Sequence, residues 1–179
     1  MLHVYGFNNV GVAVGDLYFV DPEPEPGQEG AERGVRLEVR LLESPPIEGS
    51  IYAARPILVG PPLWRADLLE SVDGVPGSHD RTHHHPQMRG WEPFTRQFDP
   101  AMSADPIGFV GERLSDLGGL VEAAGLDSSA VDERDQAELR AAVPEILETV
   151  RRLLAATRRG ELAQAPEGEP LESARVGWL

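Results

Sequence analysis

Residues 35–41 read VRLEVRL, and this stretch decides the fold class. Valine and leucine alternate with arginine and glutamate, so a β-strand places the apolar side chains on one face and the charged side chains on the other. We interpret the charged face as open to solvent, because antiparallel sheets commonly bury one face only. The stretch therefore predicts a half-buried antiparallel sheet.

Other segments of the first hundred residues extend this sheet. Residues 63–70 alternate in the same way, with Trp64, Ala66 and Leu68 on one face and Arg65, Asp67 and Leu69 on the other. Two apolar runs within residues 10–20 flank Gly15 and Asp16, a pair that suits a tight hairpin turn. Residues 51–59 are a predicted edge strand, and residues 94–98 are a candidate last strand.

The sequence after residue 100 is typical of helices. Asp105 and Pro106 form a start signal, an N-cap followed by proline at the first helical position. Apolar residues recur at helical spacing in residues 129–159, where Pro144 indicates either a kink or the start of a second helix. Strands followed by helices predict an α+β fold, a mostly antiparallel sheet of about five to six strands covered by two to four helices.

The chain is 179 residues long, the usual size of one domain. We assign residues 1–160 to a single α+β domain. Residues 21–34 are rich in Glu, Pro and Gly without a large apolar side chain, so we expect a flexible acidic loop. Residues 161–179 form a predicted tail whose apolar end docks on the domain, on a partner or on nothing.

Composition excludes several classes of function. A net charge of −14 repels phosphate backbones and anionic lipid surfaces, so we expect no nucleic acid and no membrane as partner. The chain has no cysteine, and all 16 basic residues are arginine, which excludes disulfides, thiolate metal sites and lysine Schiff bases. The first residues lack the pattern of a signal peptide, and we expect a cytoplasmic protein.

Four of the five histidines lie between residues 79 and 85. In an extended backbone His83 and His85 share one face and His84 takes the other, whereas a helix would pair His79 with His83. Flanking proline and glycine favour the extended conformation. Imidazole suits Zn, Fe, Ni and Cu, and Asp80 or Asp67 adds a carboxylate.

These residues give two alternatives. The first is a divalent metal site for Zn, Fe, Ni or Mn, with His79, Asp80, His83 and His85 as candidate ligands. The second is a surface turn in which the imidazoles bond only to backbone and water.

The same region contains candidate anion-binding residues, which are Arg65, Arg81, Arg89, Trp91 and Arg96. Guanidinium groups suit a carboxylate or phosphate, so a small anionic molecule is the expected ligand. The alternative is that these arginines form structural ion pairs with nearby Asp and Glu.

Two functions follow from the sequence. One is a protein that binds a metal or a small ligand at residues 79–96, with a hydrolase-like enzyme as its catalytic form. The other is a non-catalytic module that binds a protein partner through the acidic loop and the tail.

Overall fold

The computed structural model describes residues 1–168 and 172–179. In chain order, these residues form strands β1 (Leu2–Gly6), β2 (Val10–Val20), β3 (Ala31–Glu43), β4 (Leu58–Ser71), β5 (His83–His85), β6 (Met88–Arg89) and β7 (Glu92–Pro93). Four helices follow, α1 (Pro100–Ala104), α2 (Pro106–Ser115), α3 (Leu117–Ala123) and α4 (Glu133–Arg158), and then strand β8 (Ala174–Gly177).

Six strands form the main sheet, in the order β1-β2-β3-β4-β5, with β8 also paired to β2. Every pairing in this sheet is antiparallel. β1 pairs with the first half of β2 and β8 with its last four residues, so both lie on the side of β2 away from β3. The predicted α+β fold, with a sheet of five to six strands and two to four helices after it, is confirmed.

Three local predictions are wrong. β2 runs without interruption through Gly15 and Asp16, so there is no hairpin at that position. Gly15 instead lies against the backbone of Met1, because a Cβ there would lie 3.3 Å from the carbonyl oxygen of Met1, with the side chain of Leu179 at an ordinary contact distance of 3.6 Å. Residues 51–57 form turns and loop rather than a strand, with Ile51 and Tyr52 exposed. In residues 94–98 only Gln97 pairs, through a single bridge to His84.

The apolar face of the sheet packs against the helices. It carries the valines and leucines of β2 and β3 together with Trp64, Ala66 and Leu68 of β4. α4 contributes Leu139, Ile146 and Val150, all fully buried. This single core explains why α4 lies across β2 and β3, since both elements bury their apolar sides there.

α4 is one helix of 26 residues with Pro144 inside it. Asp132 caps its first turn in a capping box with Asp135, three residues later than the box expected at Ser129. Asp135 also accepts hydrogen bonds from the backbone and side chain of Asn9, both at 2.8 Å. Pro144 is exposed, so the helical bond that it cannot donate lies on the solvent side.

The acidic loop and the tail both contact the rest of the chain. β3 begins at Ala31, inside the range predicted as loop, and Arg96 binds Asp21 at 2.9 Å. Arg81 donates to the carbonyl oxygens of Gly27 and Glu29. The tail supplies β8. In the part of the chain that the structure describes, no helix is long and apolar enough to span a membrane.

Candidate metal centre

Ionisable side chains occupy the other face of the main sheet, in two rows set by the strand register. One row reads Ala13, Glu38, Arg65 and His85, and the next reads Gly15, Arg36, Asp67 and His83, each in the order β2-β3-β4-β5. Acidic and basic side chains alternate along β3 and β4 as well as across them. Opposite charges on neighbouring strands attract, so the pattern forms a checkerboard of ion pairs.

This polar face is buried, which corrects the expectation that it faces solvent. Glu38 and Asp67 are fully buried, and Arg36 and Arg65 are nearly so. Glu92, Pro93, Arg96 and Arg175 line the pocket over it, and Leu179 lies beside Gly15. A strand pattern shows which side chains share a face, but coverage by residues distant in the sequence decides whether that face meets water.

Ion pairs fix the side chains of this face. Arg36 binds both oxygens of Asp67, through Nε at 2.5 Å and Nη2 at 3.1 Å. Glu38 accepts from Arg65 Nε at 2.9 Å and from the guanidinium of Arg40. Such charge-assisted bonds are required here, since an isolated buried charge would be strongly unfavourable.

Two imidazoles converge on one oxygen of Asp67. Nε2 of His83 lies 3.4 Å and Nε2 of His85 lies 3.5 Å from Asp67 Oδ2. An N–H···O hydrogen bond normally spans ~2.7–3.2 Å, so both contacts are long for one. Metal–ligand bonds of about 2.0–2.1 Å in a tetrahedron put neighbouring ligand atoms about 3.4 Å apart. The two contacts to Asp67 Oδ2 therefore have the spacing of ligands around a metal ion, and the three ligand atoms all lie within 4.8 Å of one another.

The tautomer of His83 supports this interpretation. Its Nδ1 lies 2.8 Å from the carbonyl oxygen of Arg81, which can only accept a hydrogen bond, so Nδ1 carries a proton. In a neutral ring Nε2 then presents a lone pair toward Asp67 Oδ2. The two lone pairs repel unless a proton or a metal ion lies between them. Ligating histidines are commonly held by this kind of bond from the second ring nitrogen to a backbone carbonyl.

The protonation states also suit a metal. Burial opposes ionisation of Asp67, but the opposing contributions, led by the positive charge of Arg36, hold the pKa of Asp67 well below its usual value. Burial lowers the pKa of His85 despite the nearby charge of Asp67. An ionised carboxylate and a neutral imidazole are the forms that coordinate metal ions. Nδ1 of His85 is buried and has no hydrogen-bond partner among the described residues.

The three residues line a pocket of about 210 Å³. Its wall contains four arginines and three carboxylates, together with Phe19, Leu69 and Pro93. The arginines are Arg36, Arg65, Arg96 and Arg175, and the carboxylates are Glu32, Asp67 and Glu92. Arginine thus outnumbers acid in this pocket, although the whole chain carries a charge of −14.

Glu32 is the least satisfied carboxylate of the pocket. It is 2% exposed, and its Oε2 has no hydrogen-bond partner among the described residues. Arg81 approaches the other oxygen only to 4.0 Å. Burial raises the pKa of Glu32 even though Arg96, His83 and Arg81 favour its ionised form.

The predicted metal ligands divide into two groups. His83 and His85 lie on the polar face with Asp67, whereas His84 lies on the apolar face. There its Nδ1 accepts a hydrogen bond from Trp64 Nε1 at 3.3 Å. His79 lies elsewhere, 3.0 Å from Arg158, and is the site of a positive φ of 53°.

Asp80, the fourth predicted metal ligand, accepts from the backbone of Ser71 and from the hydroxyl of Ser78. The structure therefore brings together two of the four predicted metal ligands. The third member of the group is Asp67, which the sequence offered as the alternative carboxylate.

The predicted anion-binding residues divide likewise. Arg65 and Arg96 line the pocket, and Arg81 lies behind it against Glu32 and the acidic loop. Arg89 lies over the ring of Phe94, and Trp91 is exposed beneath the guanidinium of Arg40. The structure places neither Arg89 nor Trp91 in the pocket wall.

Sequence reasoning missed Glu32, Glu92, Arg175 and the part played by Arg36 and Glu38. The complementary charges of β3 and β4 were a usable signal, since opposite charges on facing strands indicate pairing. No local pattern marked Glu32, which stands in a run rich in Glu, or Arg175, which stands in the tail.

Comparison with known proteins does not supply a family. No family model matches the chain, and neither does a curated protein or a solved structure. The geometry of the polar face is therefore the basis for inferring a function.

Proposed function

We propose that this protein binds one divalent transition-metal ion through Asp67, His83 and His85, and that the pocket in front of the ion is its site of action. The observation that carries the proposal is the convergence of two Nε2 atoms on one carboxylate oxygen at 3.4 and 3.5 Å. The proton of His83 is directed away from that point by the carbonyl of Arg81.

The chemistry of the ligand set favours Zn²⁺ or Fe²⁺. Two imidazoles and one carboxylate form a set common to catalytic zinc sites and non-haem iron sites, and both leave coordination positions free. The two imidazole contacts to Asp67 match the spacing of ligand atoms in a tetrahedral site, so zinc is the first ion to test. A zinc ion held by three residues binds and activates water, which makes a hydrolase-like activity the catalytic form of this proposal.

Arg36 would orient Asp67 rather than compete for it. Its guanidinium binds both oxygens of Asp67 from the β3 side, whereas the imidazoles approach Oδ2 from β5. Carboxylates that ligate metals are usually held by such a second hydrogen-bond partner.

The test is calorimetric titration of the chelator-treated protein with zinc alone, followed by metal analysis of the dialysed sample. One ion per chain is expected. The variants His83→Ala, His85→Ala and Asp67→Ala should each weaken binding by about a hundredfold or more, beyond the loss typical of outer residues. His79→Ala is the matched control, because His79 belongs to the same cluster but lies outside the group.

The pH dependence separates this proposal from a metal-free anion site. Zinc affinity should fall as the pH decreases through the imidazole range, since protonated rings have no lone pair to donate. An anion held by imidazolium would bind more tightly under the same change. No stoichiometric zinc, or equal losses in His79→Ala and His83→Ala, would contradict the metal site.

The interaction module has less support. Both elements that it uses make contacts within the chain, because β8 pairs with β2 and the acidic loop is held by Arg81 and Arg96. A protein partner would have to use other surfaces or displace these contacts.

A further inference from the structure

We infer that the pocket binds a small oxyanion, a carboxylate or a phosphate group, whose oxygen atoms lie between the metal position and the guanidinium of Arg65. This inference rests on the proposed metal site and names the class of molecule that the site takes.

The first observation concerns the two terminal nitrogens of the Arg65 guanidinium. This side chain is 6% exposed and lines the pocket, yet its only hydrogen bond to a described residue is from Nε to Glu38. Neither terminal nitrogen is among the buried atoms that lack a partner, so both remain open to the pocket. Two adjacent N–H groups in a planar fork match the two oxygens of a carboxylate or phosphate.

The second observation is the position of that fork. Arg65 stands directly opposite His85 in the register of β4 and β5, and two residues before Asp67 on the same face. Side chains directly opposite have Cβ atoms about 4.5–5.5 Å apart, so the guanidinium and the metal position share one wall. An oxyanion in this pocket would place one oxygen toward the metal position and another toward Arg65.

The third observation is the charge around this end of the pocket. Arg36 lies beside Arg65, and it too has a terminal nitrogen, Nη1, without a partner among the described residues. Asp67 and Glu38 already bind these arginines, whereas Glu32 and Glu92 line the same pocket as opposing charges. An anion next to Arg65 would offset the repulsion between the two guanidinium groups.

The experiment is calorimetric titration of the zinc-loaded protein with inorganic phosphate and, separately, with acetate. Binding of one anion per chain is expected, and the arm with the higher affinity identifies the group that the ligand carries. Arg65→Gln should lose about tenfold or more in that affinity while keeping zinc, because a bidentate charge-assisted pair is removed. Arg65→Lys, which keeps the charge without the fork, should lose part of it.

Arg40→Gln is the matched control. Arg40 binds the same Glu38 carboxylate as Arg65 but does not line the pocket, so this variant removes an ion pair and leaves the fork in place. Its anion affinity should equal that of the wild type. Thermal melts of the variants show whether each one folds.

The outcomes distinguish the two proposals. Zinc binding without any phosphate or acetate binding, or with equal anion affinity in Arg65→Gln, overturns the oxyanion inference and leaves the metal site. Failure of zinc binding overturns the metal site and, with it, the bridging position of the anion. Phosphate bound by the metal-free protein and lost in Arg65→Gln would then assign the pocket to arginine alone.

Discussion

Both faces of the main sheet are buried, but apolar packing stabilises one face and ion pairs stabilise the other. The apolar face packs Val, Leu and Trp against the helices, and the removal of each side chain from water stabilises the folded state. The polar face presents Arg, Asp, Glu and His to a thin cover of loop and tail, and each charge loses its hydration. Alternate residues of the same strands thus have opposite effects on stability, because burial favours the apolar side chains and disfavours the charged ones.

We infer from this difference that the polar face adds little to the free energy of unfolding. Buried ion pairs often contribute no more than well-packed apolar side chains of the same volume. A sheet with apolar residues on both faces would be simpler to stabilise, so we interpret the ion pairs and imidazoles as groups retained for binding. The predictions below test this comparison, in order of expected effect.

The largest loss should come from leaving one charge of the polar face unpaired. Asp67→Ala removes the partner of Arg36 and should lower the free energy of unfolding by about 3–5 kcal/mol in the metal-free protein. Denaturant unfolding in the presence of chelator measures it, with Glu148→Gln on the exposed side of α4 as the control. A change below that of an ordinary surface variant would mean that water reaches Arg36.

A comparable loss should follow from a cavity in the apolar face. Leu37 is fully buried on β3, between Arg36 and Glu38. Leu37→Ala should lower the free energy of unfolding by about 2–5 kcal/mol without changing zinc affinity. Unfolding and calorimetry on the same sample check both parts. Loss of zinc affinity in this variant would show that the two faces are coupled.

Acid should destabilise the protein through the apolar face. Burial, with Arg113 nearby, lowers the pKa of His84 to about 4. The contribution of neutral His84 to the free energy of unfolding is fully present above the usual imidazole pKa of ~6.5. It is lost as the pH falls toward 4, which lowers the free energy of unfolding by up to roughly 3 kcal/mol. His84→Asn should flatten the stability profile over that range in chelator, whereas His3→Gln on edge strand β1 should not.

Replacing the whole central ion pair should cost little. The double variant Arg36→Met, Asp67→Leu removes both charges together and should unfold within about 1 kcal/mol of the wild type, or be more stable. Zinc binding should be lost at the same time. If the double variant is as unstable as Asp67→Ala, the ion pair stabilises the fold, and the inference that the polar face adds little to stability is wrong.

The smallest effect, and one opposite in sign to that of His84, concerns Glu32. Its raised pKa means that the protonated form stabilises the fold at low pH and that this contribution is lost as the pH rises through the raised value. Glu32→Gln should therefore become more stable relative to the wild type as the pH rises from about 4 to about 8. A constant difference between the two proteins would contradict the raised pKa.

Short-range patterns explain why much of the fold was predictable. Alternation in residues 35–41 and 63–70 identified β3, β4 and the residues that share each face, because strand geometry fixes side-chain direction locally. Asp105 and Pro106 marked the start of α2 for a similar reason. The turn predicted at Gly15 was wrong, since β2 continues through this residue, and the tightest contact of a Cβ there would be with the carbonyl oxygen of Met1 at 3.3 Å, which no local pattern indicates.

The candidate site was predictable only in part. Extended geometry by itself put His83 and His85 on one side and His84 on the other, and charge alternation put Arg65 and Asp67 on one face. The register of β4 with β5 determined which carboxylate lies beside the imidazoles. It pairs Asp67 with His83, whereas Asp80 binds the backbone of Ser71. The burial of the polar face depended on tertiary structure, because Glu92, Pro93, Arg96, Arg175 and Leu179 come from segments outside β2, β3 and β4 to cover it. Local sequence sets the direction of each side chain, whereas burial and convergence result from long-range packing.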